Sequence, residues 1–376
     1  MGPQLLFDKS ALQALSQAEA RTATTHYYLV YSPILFAEIL GDVKKFPSAD
    51  DQKREVSKVA SKMPGGESCF TAHYKILLEA NLLGQHVEMD GRPILLGGID
   101  VTDSLGRTGT FFEEQPERAA LRRWLAGSMS EAEELLSKRW RESTRAFSLE
   151  RLRNSTFRNS DIQTFESLML AVDNLCDDRS RQLENLQWII VEAGVEEQTG
   201  IAIFDRWLAL GMPPLKHFAP FAHCCLRVFA AFYMGLANDL LSTRSTNRLD
   251  LEYILYLPFC KVFCSCDHFH LTFAPFFLQP DQDVVDGRVL KNDLRQIRNY
   301  FGSMTEQERK EYRERLGLYP PDLEDSFTNM VWKKHMKPRS EYKRLELDAS
   351  GTKKLMDDLR PIKDAIEAAR KARSET

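Results

Sequence analysis

The sequence lacks the features of exported proteins, of membrane-spanning proteins, and of proteins that bind nucleic acid through an overall basic charge. Its 376 residues carry a net charge of only −4, so no basic field over the whole surface draws the chain to a polyanion. The opening segment has neither a basic stretch nor an apolar run of signal-peptide length. The longest apolar runs, near 224–237 and 273–278, are shorter than a bilayer crossing needs. We therefore expect a globular protein with no membrane partner.

The seven cysteines lack the spacing of a zinc knuckle. Cys260, Cys264 and Cys266 contain no Cys-x-x-Cys pair, which is the spacing that aims two sulfurs at one metal. The segment "KVFCSCD" is instead typical of a core strand, because unpaired cysteine is often buried. A zinc-stabilised interaction protein stays open as an alternative. Without an export signal, we expect reduced thiols and a cytoplasmic location.

Short apolar segments alternate with helical patterns near the N-terminus. "QLLF" ends in Asp8, and "THYYLVY" is rich in aromatic and β-branched residues, as buried strands are. Ser32 and Pro33 have the pattern of an N-cap followed by proline in the first turn of a helix. This order predicts βαβ units, a parallel sheet and an α/β fold.

The remainder of the chain has a more helical pattern. We expect a discontinuous core from 1–50 and 215–280, a mostly helical insertion at 51–214, and a helical extension at 281–376. The glycine-rich segment "GRPILLGGIDVTDSLGRTG" predicts a hairpin or loop inside the insertion.

An arginine-rich segment lies at 117–158, with Trp124, Trp140 and Phe147 among its basic residues. Such a segment can follow an RNA backbone while its aromatic rings stack on bases. The alternative is an amphipathic helix pair whose aromatic side chains belong to the core and whose charges face solvent.

Two aspartates follow directly on predicted strands. Asp8 ends "LLF" and Asp267 ends "VFCSC". Because ligands gather at the carboxyl ends of parallel strands, both carboxylates are expected at one edge of the sheet. The alternative for each is a solvated turn aspartate. His268 and His270, which come next, are interpreted as residues that line the loop, with contact to a substrate phosphate as the alternative.

Two further acids lie on predicted helices. Glu38 is in the helix that begins at Pro33, and Asp250 opens the segment "LEYILYL". The alternatives are a glutamate favoured by a helix N-terminus and an aspartate that serves as an N-cap. Asp239 is an alternative to Asp250 as the third acid of the site, but Asp250 is preferred because its spacing to Asp267 fits one helix and one strand.

Four carboxylates at one edge cannot all stay ionised without a counter-charge, because nearby like charges raise one another's pKa. A divalent cation removes this repulsion. Oxygen ligands favour Mg²⁺ or Mn²⁺ over zinc.

At this point the sequence resembles a family. "LLFDKS", "YSPILFAEIL", "NRLD" and "VFCSCD" look like the four acidic signatures of PIN-domain nucleases, in chain order. More narrowly, "FDKS", "SPILFAEIL" and "YLPFC" resemble segments of large bacterial PIN-like proteins. The resemblance covers about 1–46 and 222–278. It implies metal-binding roles for four acids and accessory roles for three polar residues. The acids are Asp8, Glu38, Asp250 and Asp267, and the accessory residues are Ser10, Asn247 and Ser265.

The resemblance implies a PIN-like three-layer α/β/α fold with a parallel sheet. It also implies a hydrolase that cleaves RNA by means of Mg²⁺ or Mn²⁺, with the cation generating the attacking hydroxide. The alternative is a non-catalytic PIN-like scaffold that binds RNA or a protein. A homo-oligomer is compatible with the sequence.

Overall fold

Strands and helices alternate through the first part of the chain. The computed structural model describes residues 2–43, 45–63, 68–112, 115–133, 135, 157–242, 247–337 and 348–374. The elements up to residue 125 are β1 (Gln4–Phe7), α1 (Lys9–Ala14), α2 (Gln17–His26), β2 (Tyr28–Tyr31), α3 (Pro33–Val43), α4 (Ala49–Ala60), β3 (Ser68–Phe70), α5 (Tyr74–Leu82), β4 (Gly98–Thr102), β5 (Thr108–Phe112) and α6 (Pro116–Leu125).

Helices dominate the remainder, and only two further strands occur among its described residues. The elements are α7 (Phe165–Asp177), α8 (Gln182–Ala193), α9 (Glu197–Ala209), α10 (Leu215–Phe218), α11 (Pro220–Ala237), α12 (Asn247–Ile254), β6 (Val262–Ser265), α13 (His268–Phe273), β7 (Asp283–Asp286), α14 (Gly287–Gly302), α15 (Glu306–Leu316), α16 (Phe327–His335) and α17 (Ala349–Ser374).

The described residues form a five-stranded sheet in the order β3-β2-β1-β6-β7. Every neighbouring pair in it is parallel, with Phe7 opposite Cys264 and Ser265 opposite Asp286. The predicted α/β class and parallel sheet are therefore confirmed. Strands β1 and β6, which carry the two predicted strand-end aspartates, are adjacent at the centre of the sheet.

Helices pack in two groups, as a three-layer α/β/α arrangement requires. In one group, α14 contacts α1, α2 and α16. In the other, α12 contacts α3, α11 and α13, and α11 contacts α5 and α7. Strands β1, β2, β3 and β6 are almost fully buried, with β6 inaccessible along its whole length, whereas the edge strand β7 is half-buried. The predicted core strand "KVFCSCD" is thus confirmed.

Several helices begin at a side chain that caps the turn directly after a strand. Asp8 accepts a hydrogen bond from the Ala11 N–H at 2.8 Å, and Asp267 accepts one from the Phe269 N–H at 2.7 Å. Each cap satisfies an N–H that has no partner within the helix. The polypeptide therefore turns sharply from strand to helix at the carboxyl edge of the sheet, and the capping carboxylates stay there.

Helix α11 combines unusual length with an apolar composition. Its 18 residues are long and apolar enough to cross a membrane by length and composition, and 78% of this window is buried inside the protein. The expectation that this run is too short to span a bilayer was therefore wrong by the length criterion. Its apolar side chains face neighbouring helices on nearly all sides, as in the core helix of a globular protein.

The main sheet draws strands from all three predicted segments, 1–50 with 215–280, 51–214 and 281–376. Strand β3 lies in the predicted insertion and β7 in the predicted extension, yet both pair into the main sheet. One hydrophobic core also runs through all three predicted segments. The expected hairpin is confirmed, since β4 and β5 pair antiparallel as a separate two-stranded sheet.

Candidate functional site

Asp8 lies at the centre of a hydrogen-bond network at the carboxyl end of β1. Its carboxylate accepts from the Ala11 N–H at 2.8 Å, from Ser10 Oγ at 2.7 Å and from Ser265 Oγ at 2.6 Å. His270 Nδ1 is 3.0 Å from the same carboxylate. Only 4% of the Asp8 side chain is exposed. Asp8 is thus a buried carboxylate with donors on both oxygens.

His270 joins Asp8 to the helix that carries Asp250. Its Nδ1 donates to Asp8, and its Nε2 donates to the Asp250 carbonyl oxygen at 2.7 Å. Burial would lower the pKa of His270, but the hydrogen bond and charge of Asp8, together with Asp250, raise it to about 9. Burial would likewise raise the pKa of Asp8, but the His270 interaction outweighs it and the pKa falls. The two side chains therefore form a buried ion pair at neutral pH.

Glu38 is held by two partners from other parts of the chain. The Tyr253 hydroxyl donates to Glu38 Oε2 at 2.8 Å, and Lys9 Nζ donates to Glu38 Oε1 at 3.2 Å. Lys9 also pairs with Asp42, one turn further along α3. Burial would lower the pKa of Lys9, but Glu38 and Asp42 raise it, so the lysine stays charged. A buried cation thus sits directly beside one of the predicted metal ligands.

Asp250 and Asp267 form no ion pair with any residue that the structure describes. The half-buried Asp250 has no hydrogen bond to its carboxylate within the described ranges, whereas Asp267 caps α13. The pKa of Asp250 is raised to about 7, mainly by burial and also by the charges of Glu38, Asp267 and Asp8, against the lowering effect of His270. The four predicted acids are therefore close enough to repel one another.

Hydrogen-bonded neighbours link these acids. Ser265 Oγ donates to Asp8 and accepts from the Asp267 N–H at 2.9 Å. His270 bridges Asp8 to Asp250. Four chain segments that are distant in sequence thus meet at one edge of the sheet.

The three accessory residues have different roles. Ser10 and Ser265 both contact Asp8, and Ser10 Oγ also accepts from the Cys266 N–H at 2.8 Å. Asn247 does not contact an acid in the described structure, because its amide donates to the Ser242 carbonyl oxygen and Oγ at 2.7 and 3.0 Å. Its side chain therefore links the start of α12 to Ser242.

The alternative interpretation of Asp250, as an N-cap, is excluded by the start of the helix. Helix α12 begins at Asn247, so Asp250 lies within its first turn. Its carboxylate is consequently not used to cap the helix, and it faces the other acids.

The donor set fits a hard divalent cation in its chemistry. Carboxylate oxygens are the ligands that Mg²⁺ and Mn²⁺ prefer, and two of the four acids have no cationic partner. The arrangement is not a formed ligand shell, however. Across the described ranges, no three acidic, histidine or cysteine side chains are grouped as metal ligands. Both oxygens of Asp8 accept hydrogen bonds from the protein, and Glu38 Oε1 accepts one from Lys9. A cation that binds Glu38 would therefore have to compete with Lys9.

The arginine-rich segment is only partly described, since Trp140 and Phe147 lie outside the described residues. Trp124 is fully buried and packs on Phe36 at 4.5 Å between ring centroids, so it is a core residue and not a surface for base stacking. Arg123 pairs with Glu133 at 2.5 Å. For this part of the segment the amphipathic-helix interpretation holds.

Sequence reasoning missed the role of His270 in the cluster and the hydroxyl of Tyr253. His270 was interpreted mainly as a loop residue, but it lies in α13 and is 1% exposed. Its position in the sequence could have indicated this role. His270 is the third residue of the helix that Asp267 caps, so it lies in the first turn, next to the edge of the sheet. No such spacing relates Lys9 or Tyr253 to Glu38.

The chain matches no protein-family model, and no curated protein or solved structure is significantly similar to it.

Proposed function

We propose that the chain is a divalent-metal-dependent phosphodiesterase of the PIN-like type that hydrolyses RNA. One observation carries the proposal: four carboxylates from four separate segments lie at one sheet edge, where burial, together with the charges of Glu38, Asp267 and Asp8, raises the pKa of Asp250 to about 7. Crowding of this kind costs free energy unless a counter-charge is supplied, and it is typical of functional sites. The motif order of the PIN-domain resemblance supports the same four residues.

The balance of acidic and basic side chains in the cluster supports binding of a cation from solution. His270 neutralises Asp8, and Lys9 is shared between Glu38 and Asp42. The described residues provide no cation for Asp250 or Asp267, which leaves an excess that a divalent ion would match.

The proposed ligands are Asp8, Glu38, Asp250 and Asp267. When bound, Mg²⁺ or Mn²⁺ supplies a water of lowered pKa and neutralises charge on a phosphodiester. The chain's own part is to hold the carboxylates. Ser10 and Ser265 fix the rotamer of Asp8, and Tyr253 fixes Glu38.

The second candidate is a non-catalytic PIN-like scaffold, and Lys9 is the observation that favours it. A buried ammonium group bonded to Glu38 and Asp42 neutralises part of the cluster without any metal. In this case the acids and bases form a structural network, and any RNA or protein is bound elsewhere.

The decisive variant is Asp250→Asn. The substitution is isosteric, and within the described structure the Asp250 carboxylate accepts no hydrogen bond that would be lost. Under the nuclease proposal, it should weaken Mn²⁺ binding at least about tenfold and abolish cleavage of a labelled single-stranded RNA. Its stability in urea should be unchanged or higher, because a repelling charge is removed.

The matched control is Asp286→Asn. Like Asp8 and Asp267, Asp286 ends a strand and caps a helix, and it accepts from the Arg288 N–H at 2.8 Å, but it is not one of the proposed metal ligands. This variant should bind Mn²⁺ and cleave RNA as the wild type does. Absence of both Mn²⁺ binding and cleavage in the wild type would remove the nuclease proposal. RNA binding that neither substitution alters would then support the scaffold.

A further inference from the structure

A cavity lies between α2 and the C-terminal helices α14 and α15, and none of the carboxylate-cluster residues lines it. Its volume is about 360 Å³, within the range of small-ligand sites. Among the described residues, no acidic side chain lines it. Different helices and side chains form it, so its role is independent of the proposed nuclease site.

Four arginines line this cavity, namely Arg21, Arg298, Arg309 and Arg313. They come from three helices, and none of them forms an ion pair within the described residues. Guanidinium groups at one cavity repel one another unless an anion lies between them. Arginine matches a phosphate group especially well, because its planar N–H groups can bind two oxygens at once.

A buried histidine supplies an independent indication of a ligand. His26 lines the cavity and is 1% exposed. Its Nδ1 lies 2.9 Å from the Leu318 carbonyl oxygen and donates to it, whereas its buried Nε2 has no hydrogen-bond partner. Burial lowers the pKa of His26 to about 4, so the ring is neutral and Nε2 is an acceptor. An orphaned buried acceptor is rare, and it calls for a donor from outside the chain.

Aromatic side chains form another part of the wall. Phe301 stacks on His26 with an interplanar angle of 14° and a centroid distance of 6.3 Å, and it meets Tyr312 edge-on at 5.0 Å. Tyr319 also lines the cavity. Such a wall suits a flat apolar ring more than a bare inorganic ion.

We propose that this cavity binds a phosphorylated nucleoside. The arginines would hold the phosphate, the aromatic wall would contact the base, and His26 Nε2 would accept a hydrogen bond from a hydroxyl or amino group. A single phosphate ion uses only the first of these three features. A free nucleotide and the 5′-phosphorylated end of an RNA share this chemistry.

Binding can be measured by isothermal titration calorimetry on the full chain with AMP, adenosine, inorganic phosphate, and an RNA pentamer with or without a 5′-phosphate. AMP or the 5′-phosphorylated RNA should bind at least about tenfold more tightly than adenosine, phosphate or the 5′-hydroxyl RNA. AMP binding indicates a free nucleotide as the ligand, and binding of the phosphorylated RNA alone indicates an RNA end.

Two substitutions test the geometry. The double variant Arg298→Gln, Arg313→Gln should weaken binding of the phosphorylated ligand by about tenfold or more, since it removes two charge-assisted contacts. The matched control is Arg295→Gln on the same helix as Arg298. Arg295 faces Glu19 at 3.5 Å, outside the cavity, so this variant should bind as the wild type does.

His26→Asn separates a nucleoside from a plain anion. It should weaken binding of the phosphorylated nucleoside and leave inorganic phosphate binding unchanged. Thermal melting of each variant verifies that it is folded. The proposal is overturned if neither AMP nor the phosphorylated RNA shows saturable binding. It is also overturned if phosphate binds as tightly as AMP, or if the double variant binds as the wild type does.

Discussion

His26 should make the fold sensitive to mild acid, because it is buried in its neutral form. It ends α2 and connects that helix to the C-terminal helices. Its Nδ1 donates to the Leu318 carbonyl oxygen, and Trp332 Nε1 donates to the His26 carbonyl oxygen at 2.7 Å. Burial lowers its pKa from 6.5 to about 4, although the Leu318 carbonyl and the charge of Asp293 act in the opposite direction.

The sign of the effect follows from proton binding. Between pH 6.5 and about 4, the unfolded chain binds a proton at His26 that the folded chain does not. The contribution to stability is therefore complete above pH 6.5 and is lost as the pH falls toward 4. One pKa unit corresponds to about 1.4 kcal/mol, so the full loss is about 3 kcal/mol, of which about 2 kcal/mol has occurred by about pH 5.

The assay is urea unfolding at a series of pH values from about 7.5 to 4.5, for the wild type and for His26→Asn. Asparagine keeps a side-chain N–H that can reach the Leu318 carbonyl oxygen, but it does not titrate. At about pH 7.5 the variant should be less stable by about 1–3 kcal/mol, because the ring packing is lost. That difference should shrink by about 2 kcal/mol as the pH falls to about 5.

The exposed His217 provides the control. Its substitution by asparagine should leave the free energy of unfolding within about 0.5 kcal/mol of the wild type at each pH. A constant difference between the wild type and His26→Asn over the whole range would refute the reasoning, since it would mean that unfolding takes up no proton at His26.

Two further predictions concern the carboxylate edge and its packing. Lys9→Met should destabilise the fold by about 3–5 kcal/mol in urea, because two acids lose a shared buried cation, whereas Lys45→Met, at a side chain 61% exposed, should cost less than about 1 kcal/mol. A smaller loss for Lys9 than for Lys45 would contradict the buried-pair description. Gly287→Ala should lower stability by about 1–3 kcal/mol, because its Cβ would lie 2.6 Å from Cys266 Sγ. Gly302→Ala, at the end of the same helix and with open space around its Cβ, should instead be neutral or stabilise by up to about 1 kcal/mol, so equal effects at the two glycines would disprove the steric argument.

Strong local patterns made part of the fold predictable. Strands β1, β2 and β6 are apolar runs followed by a capping residue, and each was expected from the sequence. Strand β3 has only three residues, "SCF", and β7 reads "DVVD" with an acid at each end. Neither contains enough apolar alternation to be recognised alone. They become strands because an exposed edge of the sheet offers them hydrogen bonds, which is a tertiary effect.

The positions of two site acids could be predicted from the sequence, whereas the partners of the bases could not. Asp8 and Asp267 follow strands, so their position at the sheet edge depends only on local structure. The partners of Lys9 depend on how α1 and α3 approach each other, which no spacing in the sequence encodes. The start of α12 was misplaced because the polar turn before it made Asp250 look like the cap.

The two clusters of charge can be considered together. Acids crowd one edge of the sheet, and four arginines crowd a cavity among other helices, within a chain whose net charge is only −4. Had these charges served stability alone, pairing them with each other would have removed both repulsions, since opposite charges in contact are cheaper to hold than like charges. The described structure keeps them on separate elements, with Asp250 unpaired and Arg298 unpaired. A cation bound at the acidic cluster and a phosphate bound at the arginine cluster would each neutralise the repulsion there. If Mn²⁺ and a phosphorylated nucleoside each raise the melting temperature, the Asp250→Asn substitution should remove only the first effect and the arginine double variant only the second. Loss of both effects in either variant would show that the two clusters are not independent binding sites.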